Sequence, residues 1–382
     1  MSPVDGEPGR GGRGSWRPRH LAPWHADGIR AAHGAHTPNL TTIHMTQNAV
    51  AEPELVQLPA LAVREPGVRR RHVLSLLDLS PEEVAYLARR AVAIKHAAAD
   101  PQTLRGRTVG VYFRKTSTRT RTAFQVGAGR LGATVVHFGP HDLQTNTGET
   151  LEDTARTFAG YLDVLVMRTN ESVDEMRTFA AHPSMSVVNA LSSDEHPTQG
   201  LADLATLLEH FGRLEGLHLL YCGEGNKSAA ALALAFARIP GARLTLATPA
   251  GYGLEAGKLS AARALAAQYG ATVEETHDAG DLPEGVDAVY TSRWQEMGVS
   301  KPDADWRERF RPFSVTSELM ERVRKERGTV FLHDLPAVRG EDVSDEVLDG
   351  PQSLAWVQAQ HKLFSAMAVM EWCGHGVVEG GT

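Results

Sequence analysis

Long hydrophobic runs are missing from this 382-residue chain: no apolar stretch approaches the ~18–20 residues that a membrane span requires. Cysteine is scarce as well. Cys222 and Cys373 are the only two, and they give neither a disulfide framework nor a metal-ligand spacing. That scarcity makes a reducing, cytoplasmic setting the default expectation. Positive charge is not in excess: the net charge is −7, which argues against a general nucleic-acid binder. No repeat at solenoid period is present. What is present, 42% hydrophobic residues over this length, suffices for the cores of two ordinary domains.

Met1 to about Asn48 is rich in Gly, Pro, Arg and His, with little apolar periodicity. Two readings stand: a disordered tail, or residues upstream of a true start at Met45. The stretch lacks the apolar core of a signal peptide and the clear amphipathic helix of a transit peptide. Beyond it, Ser80-Pro-Glu-Glu-Val with Tyr86, Leu87, Ala91 and Ile94 reads as a capped helix. Val109 to Phe113, Ala133 to Phe138 and Val164 to Met167 read as strands with helices between them. His196 to Phe211 reads as a long linking helix. A second series follows at Leu217 to Cys222, Arg243 to Ala247, Ala271 to Glu274, Ala288 to Thr291 and Val330 to Leu332. A closing helix runs from about Leu354 to Trp372. Such alternation predicts an α/β fold with two doubly wound parallel-sheet domains joined by helices.

The stretch Thr108 to Gly132 carries the most chemistry. Its strand stops at Arg114 and Lys115. Then Thr116, Ser117, Thr118 and Thr120 interleave with Arg119 and Arg121 before an amphipathic segment. Hydroxyls at a strand-to-helix corner are good N-caps. A helix N-terminus also offers free N–H groups and positive partial charge to an anion. The corner therefore reads either as a plain capped helix with solvated arginines or as a cradle for a dianionic phosphate. A second glycine-rich turn, Gly223-Glu-Gly-Asn-Lys-Ser228, invites a dinucleotide reading. It lacks the third glycine, and the next strand ends at Thr248-Pro249 without the acid that would hold a ribose.

Lys115-Thr-Ser-Thr-Arg-Thr-Arg121 resembles the carbamoyl-phosphate motif of the aspartate/ornithine carbamoyltransferase family. Further resemblances follow in family order, from about Arg69 to about Trp372: Glu149-Thr-Leu-Glu-Asp-Thr-Ala-Arg156, Met167-Arg168-Thr169, His196-Pro-Thr-Gln-Gly-Leu-Ala-Asp203, and His333-Asp-Leu-Pro-Ala-Val-Arg-Gly340. The resemblance implies an N-terminal extension over 1–68, a carbamoyl-phosphate domain over 69–207, an acceptor domain over 208–350, and a closing helix in 351–382 that returns to the first domain. It gives the Gly223 turn to the acceptor domain, with close helix–strand packing as the reason for glycine.

By that resemblance the reaction moves a carbamoyl group from carbamoyl phosphate to an amine, with no metal or organic cofactor. The phosphate must be held, the carbonyl oxygen polarised, and a neutral amine placed about 3 Å from the carbon. The resemblance assigns carbamoyl phosphate to Ser117, Thr118, Arg119, Thr120, Gln144, Arg168, His196, Gln199 and Lys362. Catalysis falls to Arg119, Arg168, His196 and Asp334. Gln144 matches a residue that the family inserts into the neighbouring subunit's site, which implies a homotrimer. The implied partners are carbamoyl phosphate and a small amine or amino acid, not a nucleic acid or a membrane.

On the acceptor side the resemblance assigns Asn189, Ser292, Glu296, Met297, Asp334 and Leu335. Here the chain departs from the family. In Thr291-Ser-Arg-Trp-Gln-Glu-Met-Gly298, Ser292 stands where ornithine-type enzymes carry an aspartate, and Glu296 where they carry a serine. Asp334 replaces a cysteine, and Lys362 meets an arginine. Losing a carboxylate at Ser292 removes a charge-assisted partner worth roughly 1.5–3 kcal/mol, about tenfold to hundredfold in binding. New carboxylates at Glu296 and Asp334 could re-site an ammonium group, since two charges ~4 Å apart at an effective dielectric of ~20 interact by about 4 kcal/mol. Asp334 could also orient or deprotonate the attacking amine. The expectation is therefore a carbamoyltransferase acting on an amine other than ornithine, such as 2,3-diaminopropionate, a diamine or a substituted ornithine. The alternatives are ornithine itself and, from another class, a non-catalytic binding homologue. Aspartate is disfavoured, because two added acids repel a dicarboxylate.

Overall fold

The computed structural model describes residues 68–295, 300–375 and 377–378. The N-terminal stretch, Glu296 and Met297 lie outside the described residues. In chain order the first half runs β1 (Val68–Arg69), α1 (Pro81–Lys95), β2 (Thr108–Phe113), α2 (Arg119–Arg130), β3 (Thr134–Phe138), α3 (Leu151–Tyr161), β4 (Val164–Arg168), α4 (Val173–Ala180) and β5 (Ser186–Leu191). The helix α5 (Pro197–Phe211) links this to β6 (His218–Cys222), α6 (Lys227–Phe236), β7 (Arg243–Ala247), α7 (Ala256–Tyr269), β8 (Thr272–Thr276) and β9 (Ala288–Thr291). Then come α8 (Trp306–Phe310), α9 (Ser317–Arg322), β10 (Val330–His333), α10 (Asp345–Leu348), α11 (Ala355–His375) and β11 (Val377–Val378).

Two parallel sheets result, as the alternation predicts. One has the order β3-β2-β4-β5 and the other β10-β9-β6-β7-β8. The central strand β2 is buried along nearly its whole length because helices cover both faces. Gly110 sits at its middle for a packing reason: a Cβ there would lie 2.6 Å from Leu162 Cδ1. The sequence pattern does not disclose β5. Its run Ser186-Val-Val-Asn-Ala-Leu191 is buried on both faces and shows no period-2 alternation.

Helix starts follow their caps. Ser80 and Glu83 form a reciprocal capping box on α1, and Thr150, Ser172 and Asn226 cap α3, α4 and α6 with their side chains. The link helix α5 is buried from Pro197 to Leu207, and α11 packs against α1, α2 and α5. These contacts make one continuous core that spans both sheets.

Candidate active site

A cleft of about 350 Å³ opens where β2, β4, β6, β9 and β10 all present their C-terminal ends. Ligands of open α/β sheets bind at that edge. Its basic side chains are Lys115, Arg119, Arg168, Lys227, Arg293 and Lys362, against one carboxylate, Asp334, among the described lining residues. The balance suits a small dianion.

The corner after β2 builds one wall. Ser117, Thr118, Arg119 and Thr120 all line the cleft, as do Lys115 and Thr116. Thr118 holds the N-cap position of α2, yet its side chain makes no capping bond. The capping that the hydroxyls suggest is therefore not realised at Thr118. The basic residues part company. Arg119 faces the cleft, while Arg121 turns back, its guanidinium 5.4 Å from the Phe113 ring centroid. Arg114 is spent on structure: it donates to Tyr112 Oη at 2.6 Å and grips Glu175 with both terminal nitrogens.

Arg168 ends β4. The register with β5 slips between Met167 and Arg168, so that Arg168 pairs with Leu191 and Ala190 is skipped. A bulge of this kind re-aims a side chain, and Arg168 lines the cleft. His196 opens α5 at its N-cap, buried, with its carbonyl accepting from the Gln199 and Gly200 amides. Burial, with Lys362, Arg168 and Lys227 nearby, holds the imidazole well below its usual pKa, so His196 is neutral. Burial also lowers Arg119, against the pull of Asp334.

Gln199 lies beneath the cleft rather than in its wall. Its Oε1 accepts from Lys362 Nζ, and its Nε2 donates to Asp203 Oδ1 at 2.7 Å. Lys362 does line the cleft. Gln144 is exposed, accepts from Thr147 Oγ1 at 2.8 Å, and is not a lining residue.

The acceptor-side assignments separate. Asp334 and Leu335 line the cleft after β10. Ser228 Oγ donates to Asp334 Oδ2 at 2.7 Å. Among the described residues no lysine or arginine stands within 4 Å of Asp334; its nearest basic neighbour is the His333 Nδ1 at 3.6 Å, which accepts from the Leu335 amide. Ser292 also borders the cleft, but its hydroxyl is committed. Tyr221 Oη donates to the Glu224 carbonyl, so Ser292 Oγ donates to Tyr221 at 2.7 Å while accepting from Asn226 Nδ2 at 2.7 Å. Asn189 is not brought to the cleft: its amide is buried and donates to the Leu74 carbonyl and to Ser192 Oγ. The Gly223 turn differs from expectation in its partner. A Cβ on Gly225 would lie 2.2 Å from Leu254 N, so at Gly225 the close approach is to a neighbouring loop, whereas Gly223 lies against the ends of β7 and β9. Its Asn226, Lys227 and Ser228 line the cleft, as does Arg293. Motif matching overlooks them; the signal was polar residues just past the C-terminal end of a strand.

Among the described residues no group of three or more His, Cys, Asp or Glu could hold a metal ion, and no helix is long and apolar enough to cross a membrane.

Two family profiles match, end to end. "Aspartate/ornithine carbamoyltransferase, carbamoyl-P binding domain" covers residues 71–209, and "Aspartate/ornithine carbamoyltransferase, Asp/Orn binding domain" covers 215–373. The chain belongs to the aspartate/ornithine carbamoyltransferase family. It is a carbamoyltransferase. The ornithine carbamoyltransferase of Anoxybacillus flavithermus is 38% identical over 308 residues, 79% of this chain and 96% of that protein. That of Methanothermobacter thermautotrophicus is 37% identical over 302 residues, 79% of this chain and 98% of that protein. The solved ornithine carbamoyltransferase of Pyrococcus furiosus superposes with a TM-score of 0.75 at 33% identity, covering 81% of this chain and 98% of its own.

Proposed function

We propose that this carbamoyltransferase uses ornithine as its acceptor. The phosphate of carbamoyl phosphate sits on Ser117, Thr118, Arg119 and Thr120 at the start of α2. The carbamoyl oxygen faces Arg168, His196 and Lys362. As a neutral donor His196 polarises that oxygen without titrating. The side-chain amine attacks the carbonyl carbon, the bond from carbon to the phosphate oxygen breaks, and the nitrogen gives up a proton as phosphate leaves. Asp334 receives the incoming amine and orients it.

The observation that carries this reading is the uncapped α2 corner joined to Arg168, His196 and Lys362 in one basic cleft. The names of the relatives favour ornithine over the shorter diamino acid that the substituted pocket suggests. One observation supports the second reading, an acceptor other than ornithine: at Ser292 there is no carboxylate, and the hydroxyl is already committed to Tyr221 and Asn226. We further propose a homotrimer in which the exposed Gln144 reaches a neighbouring site. The free cysteines Cys222 and Cys373 suit a cytoplasmic location.

The test offers carbamoyl phosphate with ornithine, 2,3-diaminopropionate, 2,4-diaminobutyrate, lysine and putrescine in parallel and quantifies ureido product. Ornithine turning over fastest is expected. A different amine turning over fastest would transfer the assignment to the second reading, and donor binding without turnover of any amine would favour a non-catalytic binding homologue.

A further inference from the structure

Beneath the donor side of the cleft Lys362 is tied to a buried network whose other members the reaction scheme above does not use. Lys362, on α11, donates to Gln199 Oε1. Gln199 Nε2 donates to Asp203 Oδ1 at 2.7 Å, and Gln358 Nε2 donates to the same oxygen at 2.6 Å. Gln358 is fixed in turn, its Oε1 accepting from the His333 amide at 2.7 Å. Gln199, Asp203 and Gln358 are all at most 1% exposed. Asp203 Oδ2 is buried and, among the described residues, makes no close hydrogen bond; Tyr290 lies beside this carboxylate. A carboxylate in such a place is costly unless a cation compensates it. The compensating cation reaches it only through the Gln199 amide.

We propose that donor binding in this chain turns on one removable proton, that of Lys362, and that Asp203, acting through Gln199, is a positioning residue that retains it together with Asp334. Lys362 faces Arg119 from α2, Arg168 from β4 and His196 from α5, all of which oppose its charge or are opposed by it. Asp334, after β10, and Asp203, on α5, are the two acids that favour it. The adjacent residue, His361, turns away to Glu209, as do Lys95 at the end of α1 and His96 just after it. Burial draws the Lys362 ammonium down to about 8 and pushes Asp203 up to about 7. A guanidinium in the same place would not titrate. This inference rests on the donor half of the reading above and not on which amine accepts.

The experiment follows carbamoyl-phosphate binding by calorimetry in the cold across a pH series. For the unsubstituted chain, affinity should fall by about tenfold per pH unit once Lys362 titrates, as expected for one linked proton. Lys362→Arg should bind without that decline. Asp203→Asn, which keeps the shape and removes the charge, should move the decline to lower pH. A decline that persists in Lys362→Arg, or that stays in place in Asp203→Asn, overturns the proposal. If Asp203→Asn does not fold, Gln199→Met, which cuts the same link, should move the decline to lower pH, and a decline that stays in place overturns the role of Asp203. No binding by the unsubstituted chain at any pH would overturn the donor assignment itself, which separates the two failures.

Discussion

Replacing Asp334 by Asn separates the two halves of the cleft. The asparagine oxygen can still accept from Ser228 Oγ, which now bonds Asp334 Oδ2 at 2.7 Å, so the loop after β10 keeps its support. The lost element is the one carboxylate among the described lining residues. If it meets the acceptor's ammonium or the attacking amine, the missing charge-assisted bond costs roughly 1.5–3 kcal/mol, about tenfold to hundredfold in kcat/KM for the amine. The donor side should respond in the opposite direction. Asp334 attracts the Arg119 guanidinium, so its removal frees positive potential for the phosphate. Steady-state kinetics against the amine should therefore worsen, while calorimetric affinity for carbamoyl phosphate, taken at about pH 6.5 so that Lys362 keeps its proton, holds or tightens. Parallel loss of both, or of neither, would refute the assignment of Asp334 to the acceptor.

Three further outcomes follow from the same structure. His196 is held neutral in the fold, so below its unfolded pKa of about 6.5 the unfolded chain takes up a proton that the folded chain refuses. Stability then falls as pH drops, by at most about 1.4 kcal/mol per unit from this group. Denaturant melts at several pH values should show a shallower slope in His196→Gln, and an identical slope would contradict the neutral assignment. Lys301 is caged by Tyr252, Trp306 and Phe310 and bonds Glu224 at 2.5 Å, so Lys301→Ala should lower unfolding free energy by about 2–3 kcal/mol, read by chemical denaturation. Gly225→Ala forces a Cβ to within 2.2 Å of Leu254 N, and a drop of about 1–3 kcal/mol in the same measurement is expected; an unchanged midpoint would mean that the loop moves freely.

Much of this protein is set by local pattern. Apolar runs bounded by turns specify β2, β4, β6 and β9, because burial on both faces selects such runs wherever they occur. The Ser80 capping box and the link helix from Pro197 are written in consecutive residues. So are the donor hydroxyls and Arg119, since a strand-to-helix corner carries its chemistry within one turn. The tertiary structure alone decided which side chains of those motifs are available. Arg121 lies two residues from Arg119, yet it packs on Phe113, because residues at i and i+2 of a helix face apart. Asn189 and Ser292 hold motif positions, but other partners engage them: the Asn189 amide nitrogen donates to the Leu74 carbonyl and to Ser192 Oγ, and Tyr221 with Asn226 hold the Ser292 hydroxyl. Lys362 meets Gln199, and through it Asp203, only because α11 returns across α5, a contact between residues 163 positions apart that no local period encodes. Motifs name donors and acceptors one at a time; whether each is spent or free depends on what the fold brings within 3 Å.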